Sequence, residues 1–169
     1  MKRTLLPLAV ALTLLCGFTL GWKQFRSAEG RFSISFPETP EIEVQNVASE
    51  LGPLSTHTFT ATEKEIAYAI AYTDYPDSIA PIEPAILIGG ARDGVQESLG
   101  ATIVREKELR LGGNPGRDIE MTTDELQVRT HIYLVGTRMY QMIAVVPKSG
   151  KAPKSVERFF ASFRLEKAG

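Results

Sequence analysis

Two histidines, two spaced acidic pairs, one glycine cluster and a set of tyrosines are the residues whose types and spacing could carry chemistry in this chain. His57 and His131 fall in different predicted strands. No Cys-x-x-Cys, His-Glu-x-x-His or acidic calcium loop completes either of them into a metal site. His131 shares a strand face with Gln127, Arg129 and Tyr133, which reads as a solvated or partly polar surface. His57 shares its face with Phe59 and Ala61 and reads as a partly buried, hydrogen-bonded histidine. No Gly-x-Ser-x-Gly elbow presents a nucleophile for acyl transfer. Glu106 and Glu108, like Asp118 and Glu120, stand two residues apart and so on one face of a strand. Arg105, Lys107, Arg110 and Arg117 would lie beside them, and cross-strand ion pairs on a wet face account for this pattern better than a glycosidase-type carboxylate pair.

Gly112-Gly113-Asn114-Pro115-Gly116 lacks the Gly-Lys-Ser/Thr that opens a helix in a phosphate loop, and residues 117–121 after it are strand-like, so the cluster reads as a hairpin turn. Tyr68, Tyr72, Tyr75, Tyr133 and Tyr140 could line a pocket for an apolar ligand. Their commoner use is to bury the ring and turn the hydroxyl outward. The residues therefore nominate no catalytic group, no metal ligand and no cofactor.

Charge narrows the class further. Nineteen Lys and Arg against twenty Asp and Glu give no basic excess for a nucleic-acid partner. The distribution is uneven. Residues 22–83 hold four basic and ten acidic groups, whereas residues 138–169 hold seven and two. The basic C-terminal part suggests a docking face for a protein partner or a membrane surface, with Lys148, Lys151, Lys154 and Arg158 as its residues. The competing reading is an ordinary solvated helix.

Lys2 and Arg3 precede an uncharged run from Thr4 to Leu20, the pattern of an export signal. Thr19 and Gly21 suit a cut before Trp22, and if the cut is not made residues 4–20 are long enough to tether the protein. Residues 1–21 are thus a signal peptide or signal anchor, and residues 22–169 one globular domain. Cys16 follows a large Leu15 where a lipoprotein needs a small residue, so it reads as a small hydrophobe within the signal helix. With no second Cys, the domain's stability must come from packing.

The elements that would position these groups are mostly strands. Phe32, Ile34 and Phe36 alternate with polar residues behind a Glu29-Gly30 turn, predicting a hairpin with residues 24–27. Residues 41–47 and 54–62 make a second pair around Gly52-Pro53. In residues 65–75 Ile66, Tyr68, Ile70 and Tyr72 share one face and Ala67, Ala69 and Ala71 the other, predicting a central strand with a helix close over the alanines. Pro84 and Gly100 bracket a helix over 84–99 whose Gly89, Gly90 and Gly94 are tolerable if its backbone approaches the sheet. Residues 102–111, 116–122, 125–135 and 138–146 read as strands joined by short turns and hence antiparallel, with a short piece at 163–165. Val156, Phe159, Phe160 and Phe163 recur at helical spacing, predicting an amphipathic helix over 153–163.

The order of Phe32-Ser-Ile-Ser-Phe-Pro37, the Ala/Tyr strand ending Tyr72-Thr-Asp-Tyr-Pro76, Leu111-Gly-Gly-Asn-Pro-Gly116, Tyr133-Leu-Val-Gly-Thr-Arg-Met-Tyr140 and Phe159-Phe-Ala-Ser-Phe-Arg-Leu165 resembles the PsbP-related superfamily, which includes PsbP, DcrB and the Mog-type proteins. The resemblance covers about residues 25–166. It implies an α+β fold, an α/β/α sandwich around a central antiparallel sheet, and action by binding or assembly without catalytic residues or cofactor. Taken with the signal segment and the missing chemistry, it reads as an exported, non-enzymatic accessory or binding protein of the cell envelope. Two alternatives stand beside it: a lipophilic-ligand carrier or small enzyme with a pocket near Tyr68, Tyr72 and His57, and a membrane-tethered structural component.

Overall fold

The computed structural model describes residues 21–49, 52–149 and 152–167. The proposed export segment, Cys16 and Lys151 lie outside the described residues. Within them ten strands and two helices run in the order β1 (Lys23–Ser27), β2 (Phe32–Phe36), β3 (Glu41–Ser49), β4 (Gly52–Glu63), β5 (Ile66–Asp74), α1 (Pro84–Leu99), β6 (Thr102–Leu111), β7 (Asn114–Thr122), β8 (Leu126–Val135), β9 (Arg138–Pro147), α2 (Lys154–Ala161) and β10 (Arg164–Leu165). The fold is α+β. Among the described residues no helix is long and apolar enough to cross a membrane.

Seven strands form one sheet in the order β3-β4-β5-β9-β8-β7-β6, and every neighbouring pair is antiparallel. Tight turns enforce this. Gly112 and Gly113 both have positive φ (56° and 87°), as a two-residue hairpin turn of the primed type requires, and so join β6 to β7 as predicted. β1 and β2, predicted as a hairpin, do pair, but they leave the main sheet and combine with β10 in a small three-stranded sheet. Phe32 of β2 stands opposite Leu165.

Alternation along each strand sends side chains to two cores. On one face Phe59, Tyr68, Ile70, Tyr72, Tyr140 and Met142 pack with Phe32, Ile34 and Phe36 of the small sheet and Val156, Phe159 and Phe160 of α2. On the other, Ile119, Met121, Val128, Ile132 and Met139 pack with Ile88 and Val95 of α1. Each large apolar side chain so buried contributes about 2–3 kcal/mol relative to exposure.

α1 matches its predicted span. Pro84 fills its first turn and Gly100, at φ 59°, closes it with its N–H toward Gln96 and Glu97 carbonyls. α2 is shorter than the 153–163 predicted, because the chain turns after Ala161 to bring Arg164 and Leu165 alongside β2. Phe163 stays buried beyond the helix end.

β5 is a central strand as expected, paired on one side with β4 and on the other with β9, but one packing expectation is corrected: α1 lies over β7 and β8 instead of over the alanines, which remain only half-buried. Close approach therefore does not explain the helix glycines: a methyl at Gly90 or Gly94 would meet nothing within 4 Å. The close approach is at Gly116, where a Cβ would fall 2.4 Å from the Tyr133 ring and 2.5 Å from the Ile132 carbonyl. Two substitutions of the same kind should thus differ in sign. Gly94→Ala is expected to stabilise by about 0.5–1 kcal/mol and Gly116→Ala to destabilise by about 2–3 kcal/mol, as read by urea unfolding.

Candidate functional site

Helix α2 lies across the sheet on its Phe face. Val156, Phe159 and Phe160 point inward, which leaves Lys154, Glu157 and Arg158 exposed. Ser162 fixes its C-terminal end: its hydroxyl donates to the Phe159 carbonyl (2.7 Å) and accepts the Ser35 N–H (2.9 Å), tying α2 to β2. Beside the N-terminal half of the helix opens a groove of about 360 Å³. Its lining is mainly apolar, from Val104, Met121, Val128, Ala144, Val146 and Val156, and Glu120, Arg129, Lys148 and Glu157 supply its charge.

The four basic residues singled out in the sequence fare differently. Lys148 is exposed, lines the groove and is anchored by its Nζ donating to the Thr123 carbonyl (3.0 Å) and its N–H to the Glu125 carbonyl (2.8 Å). Lys154 is exposed at the first position of α2, where the helix dipole disfavours a cation, so helix stability does not explain it. Arg158 stacks over the Trp22 ring (5.3 Å), and Trp22 meets Tyr68 edge-on. Lys151 lies outside the described residues.

Sequence reasoning placed His131 on a solvated or partly polar face; the face is polar, but it is buried under α2. Asp118, 5% exposed, is the hub. Arg129 holds it with Nε at 3.0 Å and Nη2 at 3.2 Å, Arg105 Nη2 stands at 3.2 Å and His131 Nε2 at 3.2 Å. Arg105 also pairs with Glu120, and Arg129 with Glu157 of α2. The Phe160 ring roofs the cluster, 4.2 Å from the His131 ring and 5.1 Å from the Arg129 guanidinium. Burial by itself would raise the Asp118 carboxyl, but the His131 and Arg129 contacts outweigh it and hold it well below the usual carboxylate range. The anticipated cross-strand pairs are present on the outer strands, where Arg117 reaches Glu106 (3.3 Å) and Glu108 (3.5 Å); Arg92 of α1 adds a contact to Glu106 (3.0 Å) from outside the sheet, which the sequence reading did not name.

A second groove, about 400 Å³, opens beside Arg31, Asp74, Arg138 and Tyr140. Arg138 clamps Asp74 with two contacts of 2.6 Å, donates to the Glu29 carbonyl (2.8 Å) and lies over Tyr72 (4.6 Å). Its hydrogen bonds hold the Asp74 carboxyl below the usual range. Tyr140 donates to the Gly30 carbonyl (2.7 Å). These contacts fasten the β1–β2 turn to β5 and β9.

Neither groove is lined by Tyr68, Tyr72 or His57. Tyr68 and Tyr72 are buried in the aromatic core, and Tyr68 donates to Ser155 Oγ (2.9 Å). His57 lies flat on Tyr72 at 4.5 Å. Burial, with the nearby Glu29 carboxylate, pushes the Tyr72 hydroxyl up to about 12. Among the described residues no three potential metal ligands converge.

The Asp118 cluster should be visible in stability. Asp118→Asn leaves Arg105, Arg129 and His131 without their shared anion and is expected to cost about 3 kcal/mol. Glu120→Gln, with a more exposed side chain, should cost less than about 1 kcal/mol. Because the folded carboxyl titrates below its unfolded value near 4, its contribution is complete above that pH and is lost as pH falls through the folded value. Urea midpoints measured downward from pH 6 should converge for wild type and Asp118→Asn in acid.

No family model matches the chain, and no curated protein matches it. Among solved structures, cyanobacterial PsbP (CyanoP) from Synechocystis sp. PCC 6803 superposes with a TM-score of 0.61 at 12% identity, over 89% of this chain and 96% of that one. A putative regulator of unknown function from Pseudomonas aeruginosa, PA94, gives 0.39 at 9% identity over 76% and 85%, and a protein from Bacteroides thetaiotaomicron 0.40 at 18% over 88% and 49%. Only the first of these scores is high enough to speak to the fold, and the resemblance read from the ordered motifs is supported: this chain has a PsbP-like fold.

Proposed function

We propose that the protein is an exported, non-enzymatic accessory protein of the cell envelope that holds a protein partner against α2 and the loop before it. The observation that carries this reading is the apolar groove beside α2, with Lys148 on its lining and Lys154 exposed at the helix start. An apolar trough edged with charge is what a partner side chain docks into. Of the charged groups that line it, Glu120, Arg129 and Glu157 are tied into the Asp118 cluster with Arg105 and His131 under Phe160, an arrangement that suits a scaffold better than a reaction centre. The PsbP-like fold agrees with binding or assembly, and we take its layering as the α/β/α sandwich of that superfamily. Export rests on Lys2, Arg3 and the uncharged run to Leu20.

Crosslinking and mass spectrometry in the native envelope test the reading. Reversing the charge at Lys148, Lys151, Lys154 and Arg158, or plugging the groove with Ala152→Trp, should abolish the crosslinked partner while the thermal melt still shows a folded domain. An unchanged partner set in both variants would remove the assignment. The intact mass of the recovered protein decides the fate of the leader: loss of about twenty-one residues, as a cut before Trp22 requires, removes the tether.

A further inference from the structure

A sheet of seven strands that does not close has two edges, and this one treats them differently. At one edge β6 carries Arg105, Glu106, Lys107, Glu108 and Arg110, and its pairing with β7 slips between Ile103 and Arg105. Charges of both signs and an irregularity are the ordinary means of discouraging another strand. At the other edge β3 pairs with β4 through nine consecutive positions without a slip. Its exposed side chains include Ile42 and Val44, 59% and 52% exposed, two of the four exposed large hydrophobic residues of the described chain.

The strand also lacks the edge lysine that would blunt it. From Phe32 to Glu63 the sequence contains no Lys or Arg, and Glu38, Glu41, Glu43, Glu50 and Glu63 make the segment uniformly acidic. The pleat sends Glu41, Glu43 and Gln45 to one face and Ile42, Val44 and Asn46 to the other. A strand added along the first half of this edge would therefore meet the carboxylates of Glu41 and Glu43 on one face and the apolar Ile42 and Val44 on the other.

We infer that β3 is an edge for strand addition, and that its occupant is an extended basic segment of another protein, with Lys or Arg alternating with apolar residues. Main-chain hydrogen bonds along β3 supply the affinity, and the alternation sets the sequence it accepts. A second copy of this chain is the poorer fit. No register of antiparallel self-pairing offers Glu41 and Glu43 an opposite charge, since β3 carries no Lys or Arg, and the register that sets Ile42 against Val44 also sets Glu43 against Glu43.

The test adds three capped synthetic peptides, VKVKVKV, VEVEVEV and GKGKGKG, to the full chain and follows amide hydrogen exchange. The basic strand-former should slow exchange along residues 41–49 and bind about tenfold tighter than either other peptide, the scale of a few cross-strand pairs. The double variant Glu41→Lys, Glu43→Lys changes two exposed side chains and should exchange the preference, weakening VKVKVKV and admitting VEVEVEV. Equal binding of GKGKGKG would show diffuse charge attraction and overturn the inference. So would protection mapping to another element, no protection by any peptide, or protection of β3 that rises with protein concentration alone, the mark of a second copy.

Discussion

The fold depends on its two ends meeting over one face of the sheet. Phe59, Tyr68, Tyr72 and Tyr140 make that face aromatic, and among the described residues the β1–β2–β10 sheet and α2 cover it. The cover is assembled from residues more than a hundred positions apart: Ser35 N–H reaches Ser162 Oγ, Phe32 faces Leu165, and Glu166 N–H reaches the Arg31 carbonyl (2.9 Å). Without both ends the aromatic face would lie open to water, a loss no helix on the opposite face could offset. Such separated contacts carry a loop-closure cost that must be met before they yield anything, so the seven-stranded sheet has to be largely formed when the ends dock.

That dependence explains the buried charge cluster beneath α2. Phe160 needs a flat surface beneath it, and the His131 ring with the Arg129 guanidinium provides one. Arg129 can lie there only if its charge is met, which Asp118 does from the sheet and Glu157 from the helix. The ion pairs therefore position α2 more than they stabilise the fold, since well-packed apolar side chains at the same sites would hold the layers at least as tightly. Geometry is the gain: α2 is fixed in rotation, with Lys154 outward and the groove open beside Val156.

Local patterns were legible in the sequence because they depend on near neighbours. Alternation marked Phe32–Phe36 and the Tyr/Ala strand, Pro84 and Gly100 bracketed α1, and Val156, Phe159 and Phe160 revealed α2's inner face. What sequence reasoning missed depended on partners distant in the chain. Nothing in Phe32-Ser-Ile-Ser-Phe says that the strand leaves the main sheet for a two-residue piece at Arg164 and Leu165. The Asp118 cluster was nearer to reach. A turn at Thr123-Asp124 with a strand from Glu125 sets Asp118 opposite Arg129; the real turn is longer, because Thr123 Oγ1 accepts the Glu125 and Leu126 N–H groups, and Asp118 moves opposite His131. A shift of two keeps the face, so the residue types that meet were readable, but their burial was not. It comes from α2, which the hairpin alone cannot announce.

The uneven charge of the chain acquires a spatial meaning from the strand order. The groove beside α2 runs from Val104 of β6 to Ala144 and Val146 of β9, while acidic β3 stands at the opposite edge, three to six strand intervals away. At about 4.8 Å per interval that separation is roughly 14–29 Å, beyond the screening length at physiological salt. The two surfaces therefore do not neutralise each other, and a partner held at one leaves the other sterically clear. The antiparallel ladder from β3 to β6 sets the distance between the two surfaces, and the aromatic cover packs on that ladder from one side.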